Sequence, residues 1–453
     1  MSHTETINAA KPRRERAAAT HSRGRGPFWT LLLVMSIVQF SSAWLYPAST
    51  FGGVDTMINE KAMGIPFQYL LWLLVLLALC LHVARAGFDF LAKALLPFLP
   101  FFLVGLFASV LGIAPFTSIR SLILWTFCAL AAAVIPFELP ARQSVKWLFR
   151  MSVILIVLSV LLSVLVPKIG AVDYGTTGSV WRGVFTNKNQ LGWIATLILL
   201  VSAGMCTRKN WVWPVLMILL SAVCVWKSGS KGALVAGILT LGYLGLVKLL
   251  RSKVTPALGV TTVLLALGCM LVFGFFVMPE ILAALGRDAT FTGRTFVWSL
   301  YFNSMLNTPF LGEGPGAYTA LSELTTPMAI RLTELGAIVT PHNAFLGAFG
   351  DGGIFGVFAF AGVLIYLGIV SPFLRQDRMT LVCAGIAFFN MAHGLVETHE
   401  VFIAGFGWFL MIFLRALSMK QEEESAAAGI AADAAAGKGK RAAQAHRATV
   451  MKR

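Results

Sequence analysis

The chain has 453 residues, of which 57% are hydrophobic and only 12% are charged. Soluble domains carry about 25% charged residues, so this composition excludes a soluble enzyme, including one held by a single anchor. The net charge of +16 is spread over the tails and short loops rather than gathered in one patch, which argues against a nucleic-acid partner.

Apolar runs of about 20 residues recur along most of the chain, as transmembrane helices do. We therefore expect an all-α polytopic membrane protein, with about twelve transmembrane helices in a membrane domain at residues 28–418. Pro97 and Pro100 should kink the third span, because proline lacks a backbone donor. The spans are predicted near residues 28–47, 66–84, 93–113, 119–136, 148–166, 189–205, 211–226, 232–250, 256–278, 354–374, 379–392 and 401–418.

Three polar segments flank or interrupt the spans. Residues 1–27 are basic and predict a disordered cytoplasmic tail that can contact anionic lipid. Residues 419–453 are rich in alanine and glycine and predict a second disordered or partly helical tail. Residues 279–341 form a long segment of mixed composition before the tenth span, which must lie in water or in protein.

The distribution of cations predicts the orientation in the membrane. An even number of spans puts both tails on one side, and that side then carries 26 of the 36 lysine and arginine residues. Cytoplasmic loops are enriched in these residues, so both tails should be inside and the loop at 279–341 outside. Cations on the outer face oppose this bias, and a cluster of them suits a phosphorylated ligand.

The stretch from Trp181 to Gly192 joins the fifth span to the sixth on the outer side and contains Arg182 and Lys188. Asn187 or Asn189 can cap the sixth span. An anion there would gain both the cations and the positive end of the helix dipole. The alternative is that the two cations only reach toward the membrane interface.

Two further outer segments contain cations beside small polar residues. Lys231 follows Ser228-Gly229-Ser230 at the start of the eighth span, where backbone donors and the ammonium could cover a pyrophosphate. Arg294 follows Thr292-Gly293 and offers a planar fork for phosphate. Trp298 and Tyr301 are candidate surfaces for sugar stacking or members of an interfacial aromatic belt.

His342 and Asn343 open the tenth membrane element, where a neutral imidazole can serve as a general base. A lone histidine at a membrane boundary can equally be structural. His393 and Glu397 are four residues apart and would share a helical face. No motif supplies the further ligands that zinc requires, so we expect no metal, and Glu397 is a candidate partner for a cation or a sugar hydroxyl.

These residues resemble the O-antigen ligase and Wzy-type polymerase superfamily of bacterial envelope enzymes. His342-Asn343, nine residues, Gly353, two residues and Gly356 fit the family pattern H-N-x9-G-x-x-G. The other similar stretches are residues 182–192, 292–294 and 307–314. The repeat-unit polymerases are the more similar branch, because lipid A-core ligases tend to have Arg-x-x-x-Leu where this chain has Lys231 and Val235.

The resemblance implies a metal-independent, inverting glycosyltransferase without cofactors in the bacterial inner membrane, with its active site facing the periplasm. Such enzymes move a glycan from undecaprenyl pyrophosphate to an acceptor sugar. Carried over, Arg182 and Arg294 would hold the pyrophosphate, and His342 would activate the acceptor hydroxyl. Lys188 and Lys231, from their own positions at the ends of spans, are further candidates to bind the pyrophosphate. Asn189, Asn343 and Glu397 would support them. Flippase and chain-length regulator proteins are candidate partners.

Two alternatives to a polymerase stay open. A ligase that attaches polymer to lipid A-core uses the same donor chemistry and differs only in its acceptor pocket. A secondary transporter or polysaccharide exporter would place ionisable residues at mid-membrane, often in paired repeats. The candidate residues here cluster at one membrane face instead, and the sequence shows no internal repeat.

Overall fold

The computed structural model describes residues 26–43, 56–112, 115–173, 178–272, 294–317, 341–397 and 401–450. The predicted N-terminal tail and most of the predicted loop at 279–341 lie outside these residues. The described chain is almost entirely helical, as the composition predicts, with one short hairpin.

The first part of the chain contains seven helices and a 3-10 turn among the described residues. They are α1 (Gly26–Ser41), α2 (Thr56–Ala86), α3 (Asp89–Leu95), the 3-10 turn Leu96–Phe98, α4 (Leu99–Leu111), α5 (Pro115–Glu138), α6 (Ala141–Leu165) and α7 (Pro167–Gly170). An antiparallel hairpin follows, made of β1 (Ala171–Asp173) and β2 (Ser179–Trp181), with Val172 opposite Val180.

The second part, again among the described residues, is helical throughout. Its elements are α8 (Lys188–Met205), α9 (Val212–Lys227), α10 (Lys231–Leu250), α11 (Pro256–Val272), α12 (Arg294–Met305), α13 (Ala344–Ile365), the π-helical turn Tyr366–Val370, α14 (Ser371–Leu374), α15 (Arg378–Gly394) and α16 (Phe406–Val450).

Six helical segments of the described chain are long and apolar enough to cross a membrane. They are Phe67–Ala86, Asp89–Leu111, Pro115–Glu138, Ala141–Leu165, Lys231–Leu250 and Ala344–Leu374. Three shorter apolar helices accompany them at Gly26–Ser41, Val212–Lys227 and Pro256–Met270. A polytopic all-α membrane protein is thus what the structure shows, while the number of twelve spans stays a prediction.

Two element boundaries differ from the prediction. The tenth span begins at Ala344 rather than near residue 354, because Asn343 caps it and the helix continues through a break at Gly353. The tail from residue 419, predicted to be disordered or partly helical, is helical to Val450 as a continuation of α16. Alanine has the highest helix propensity, which accounts for helix in a polar, alanine-rich tail. At the third span, the 3-10 turn Leu96–Phe98 interrupts the helix where the prolines were expected to kink it.

Aromatic side chains fill the centre of the bundle, where α4, α5 and α16 meet. Phe101 stacks on Phe402 with a ring-centroid distance of 4.2 Å, and Trp125 and Trp408 pack edge to face at 5.6 Å. Lipid is as apolar as these side chains, so packing and close approach hold membrane helices together. Gly105 allows such an approach, since a Cβ there would lie 2.8 Å from the Phe402 ring.

Candidate active site

Four segments that are distant in sequence converge at one end of the bundle. The turn before α10 packs on the start of α8, where a Cβ on Gly192 would lie 2.7 Å from Ser230 Cβ. The start of α10 packs on the residues that follow α15, where a Cβ on Gly232 would lie 3.1 Å from Val396 Cγ2. These small residues let the backbones approach closely enough for polar side chains to meet.

His342 and Glu397 form a hydrogen-bonded pair at this end. His342 Nδ1 lies 2.8 Å from Glu397 Oε2, and the two side chains are only 19% and 9% exposed. His342 has a φ of 44°, a left-handed conformation that is uncommon for a residue other than glycine. Such conformations persist only where the surroundings enforce them, and they cluster at functional sites.

Asn189 holds the other oxygen of the carboxylate. Its Nδ2 donates to Glu397 Oε1 at 3.2 Å, which joins the start of α8 to the turn after α15. Asn187 is the cap of α8, with its side chain accepting from Gln190 N at 2.9 Å. The structure thus decides between the two candidate caps and assigns Asn189 to the carboxylate.

Asn343 has two structural contacts. Its side-chain oxygen accepts from the backbone N–H groups of Phe345 and Leu346 at 2.9 and 3.0 Å and so caps α13. Its Nδ2 donates to Leu395 O at 3.2 Å, on the same turn that carries Glu397. Asn343 therefore fixes the backbone beside His342.

The geometry of the pair determines which ring nitrogen can act as a base. An ionised carboxylate only accepts hydrogen bonds, so Nδ1 is the protonated nitrogen and Nε2 carries the lone pair. Nothing in the described part of the chain hydrogen-bonds to Nε2 of His342. A carboxylate that orients an imidazole and stabilises its protonated form is a recurrent arrangement in enzymes that remove a hydroxyl proton.

Arg182 follows the hairpin and is half-buried. Its Nε donates to Ile169 O at 2.8 Å, and its backbone N–H donates to Gly170 O at 2.8 Å. Gly183, with a φ of 63°, packs on Ser159 of α6, where a Cβ would lie 2.4 Å from the serine Cβ. Burial lowers the pKa of the Arg182 guanidinium, yet arginine remains protonated in proteins. A rigid turn therefore holds a permanent positive charge.

The remaining predicted cations lie at helix starts. Lys188 is the first residue of α8 and Lys231 the first of α10. Cations at this end oppose the helix dipole, so helix stability does not explain them. For Arg294 the structure describes the backbone only, at the start of α12, and the preceding Thr292-Gly293 lies outside the described residues.

The two aromatic residues of α12 differ in exposure. Tyr301 is 1% exposed, so its ring offers no surface on which a sugar could stack. Burial also raises the pKa of Tyr301 to about 12. The stacking interpretation is wrong for this residue. Trp298 is half-buried, and its Nε1 donates to Pro341 O at 2.9 Å, next to His342.

The glycines of the H-N-x9-G-x-x-G pattern serve backbone packing. Gly353 has φ 61° and ψ −160°, and a Cβ there would lie 2.1 Å from the carbonyl carbon of Phe310. The break in α13 frees backbone groups that the segment at 307–314 satisfies, with Ile354 N donating to Pro309 O at 2.8 Å and Glu313 N to Gly350 O at 2.8 Å. Two family-like stretches thus contact each other directly.

Asp351 is a buried residue that the sequence interpretation missed. It is 0% exposed, and its Oδ2 accepts from Gly316 N at 3.0 Å. The signal was available, since a carboxylate before Gly352-Gly353 in an apolar helix needs partners. In the described part of the chain, no three His, Cys, Asp or Glu side chains come together as metal ligands would.

A bundle of apolar helices with a histidine–carboxylate pair at one end defines the class as a polytopic membrane protein with a candidate acid–base site. Residues 215–361 match the family model described as O-Antigen ligase. The chain is also similar to the exopolysaccharide production protein ExoQ of Rhizobium meliloti (strain 1021), with 27% identity over 255 residues. That alignment covers 51% of this chain and 57% of ExoQ.

Both matches support the resemblance to the O-antigen ligase and Wzy-type family that was drawn from the motifs. The matched segment contains Lys231, Arg294, His342 and Asn343. Arg182, Asn189 and Glu397 lie outside it, and the fold connects Asn189 and Glu397 to His342.

Proposed function

We propose that the chain is an inverting glycosyltransferase that transfers a glycan from undecaprenyl pyrophosphate to an acceptor sugar hydroxyl, with no metal, at the periplasmic face of the bacterial inner membrane. In this proposal it polymerises exopolysaccharide or O-antigen repeat units. The hydrogen bond between His342 Nδ1 and Glu397 carries the proposal, because it supplies an oriented base without a metal.

In the proposed reaction, the acceptor hydroxyl attacks the anomeric carbon of the donor while Nε2 of His342 takes its proton. The bond from the anomeric carbon to the pyrophosphate oxygen breaks, and the lipid pyrophosphate leaves with the electron pair. Attack from the face opposite the leaving group inverts the configuration. Glu397 would stabilise the imidazolium that forms, as a buried carboxylate does when its partner becomes cationic.

The leaving group is an anion, and four cations are candidates to receive it. Arg182 is charged and held by Ile169, while Lys188 and Lys231 add positive charge at helix N-termini, where backbone N–H groups already attract anions. Arg294 would add a planar fork. Charge placed where the transition state becomes negative is often the largest contribution to catalysis.

A ligase is the second candidate, because the matching family model is described as O-Antigen ligase. The similarity to the exopolysaccharide production protein ExoQ favours a polymerase of exopolysaccharide. The two candidates share donor, base and cations, so they predict the same effects of substitution in those residues. They differ in the acceptor, which is another repeat unit for a polymerase and lipid A-core for a ligase.

The test is transfer by the purified full chain from a lipid-linked repeat unit, with wild type compared to His342→Gln and His342→Ala. A general base contributes about 10²- to 10⁴-fold, so we expect both variants to be slower by that factor. The wild-type rate should fall on acidification, because protonation removes the base, and the variants should lose that pH dependence.

Equal rates in all three proteins would contradict the role of His342. Supplying either repeat units or lipid A-core as the acceptor separates polymerase from ligase. Transfer to neither acceptor, by a protein that melts cooperatively, would contradict the proposed function.

A further inference from the structure

A second charged region lies at the opposite end of the bundle from His342. It is a partly open cavity of about 1770 Å³ between the start of α6, the connection from α8 to α9, the start of α15, and α16. Small-molecule pockets span about 300–1,000 Å³, so this cavity has room for a larger ligand.

Four exposed cations line the cavity. Arg142, Lys146 and Arg150 are four residues apart on α6 and so share one face of that helix, and Arg378 comes from α15. Glu424 is the one acidic residue in the lining. Within the described ranges, no carboxylate lies within 4.0 Å of any of the four cations.

Like charges four residues apart destabilise a helix slightly, so an anion between these cations would relieve their repulsion. Arg378 is also held in place, with its Nη1 donating to Cys206 O at 3.1 Å. A group of cations that repel each other, one of them fixed by the protein, suits an anion that bridges them.

The lining of the cavity changes from charged to apolar along α6. Beyond Arg150 its lining becomes apolar, with Val153 and Ile154 on the same helix. Trp147 and Trp213 also line the cavity, and the Arg150 guanidinium lies 4.9 Å from the centre of the Trp147 ring. Tryptophan marks the boundary between hydrocarbon and water, so the cavity runs from water into the membrane.

We propose that this cavity binds an anionic phospholipid, with its phosphate among the cations and its acyl chains beside Val153 and Ile154. Basic pockets between membrane helices on the cytoplasmic side suit such headgroups. A soluble phosphate would share the cations but leave the apolar part empty, which is why the observations favour a lipid. The site is separate from the His342–Glu397 pair and stands independently of the proposed transfer reaction.

The test is native mass spectrometry of the purified full chain titrated with cardiolipin, and in parallel with phosphatidylethanolamine. The test variant is Arg142→Gln/Lys146→Gln. Its matched control is Lys248→Gln/Lys253→Gln, which removes the same charge from exposed lysines at the same end of the bundle but outside the cavity.

We expect wild type and control to bind cardiolipin in preference to phosphatidylethanolamine. The cavity variant should bind cardiolipin roughly 30-fold more weakly, at about fivefold per cation. If the double variant does not fold, Arg150→Gln alone should lose about fivefold.

Three results would overturn the proposal. Equal loss in the control variant would show a general surface effect, and no preference between the lipids would show that charge is not recognised. Complete displacement of cardiolipin by inorganic phosphate at equal phosphate concentration would show a site for soluble anions.

Discussion

Glu397 connects three of the residues that the sequence singled out. It accepts from Asn189 on one oxygen and pairs with His342 through the other. Its own position is set by the turn after α15, where its backbone N–H donates to His393 O at 3.0 Å. In the proposed reaction, a carboxylate held this way would orient the imidazole before substrate binds, and less reorganisation would then be required.

We predict that Glu397→Gln slows transfer by roughly 10²- to 10⁴-fold, since the amide still reaches Nδ1 but cannot stabilise an imidazolium. Asn189→Ala should cost less, because it removes one hydrogen bond to a charged group, worth about 1.5–3 kcal/mol. Rates across pH are the measurement, with donor KM as a second readout. A change in KM alone, with an unaltered pH profile, would contradict a role through His342.

The cations give a second prediction at this scale. Arg182→Ala and Arg294→Ala should each abolish transfer while the protein still inserts, and lysine should restore little because it lacks the bidentate fork. Arg120→Ala is the control, since Arg120 is an exposed cation assigned to the same membrane face. Polymer analysis in cells that carry each variant measures this; an equal defect in all three would point to general charge loss.

At the scale of the elements, the helix α13 has an irregularity with a clear cause. Its break at Gly353 accepts the segment around Phe310, and the freed backbone groups bond to that segment. A break inside a membrane helix is tolerated when neighbouring backbone satisfies the exposed groups. Gly353 is thus a docking point for the segment around Phe310, and it sets how α13 continues from the helix start beside His342.

We predict that Gly353→Ala destabilises the protein by at least about 2 kcal/mol, because its dihedral angles are nearly exclusive to glycine and its Cβ would overlap Phe310. Gly362 is the control on the same helix, with nothing within 4 Å of an added Cβ. Gly362→Ala should be neutral or stabilising by about 0.5–1 kcal/mol. Thermal unfolding in detergent measures both, and similar melting temperatures would contradict the docking role.

At the scale of the whole molecule, the His342–Glu397 pair and the basic cavity lie at opposite ends of the helices. The helix α6 shows this directly: it carries Arg142 at its start and ends just before the turn that holds Arg182. The cation count in the sequence predicts that the first end faces the cytoplasm and the second the periplasm. One bundle would thus hold a reacting site on one side and a lipid site on the other.

This orientation can be tested by cysteine labelling, with one exposed lysine at each end of the bundle replaced by cysteine in separate variants. The background replaces Cys80, Cys206 and Cys269, the three cysteines that are not buried. We expect Lys168→Cys to react with an impermeant maleimide in intact spheroplasts, and Lys209→Cys only after the membrane is opened. The reverse pattern would invert the topology and contradict a periplasmic active site.

Composition and motif spacing were enough to predict an all-α membrane protein and to name Asn189, His342 and Glu397 as candidate residues. A segment that lies in hydrocarbon must consist mainly of apolar side chains. Helices such as Ala141–Leu165 and Lys231–Leu250 can therefore be predicted from composition alone. The helix cap at Asn343 and the helix break at Gly353 also depend on local sequence, and both residues are part of the H-N-x9-G-x-x-G pattern.

Which of those residues contact one another can be seen only in the folded chain. Asn189 and Glu397 are 208 positions apart in the sequence, and no local feature of either segment predicts the hydrogen bond between them. The same holds for Tyr301, which has a surface-like sequence context and is buried. Whether a segment enters the membrane depends on its own apolarity, whereas a contact between side chains depends on how several segments pack, and that packing is set by the shapes of all of them together.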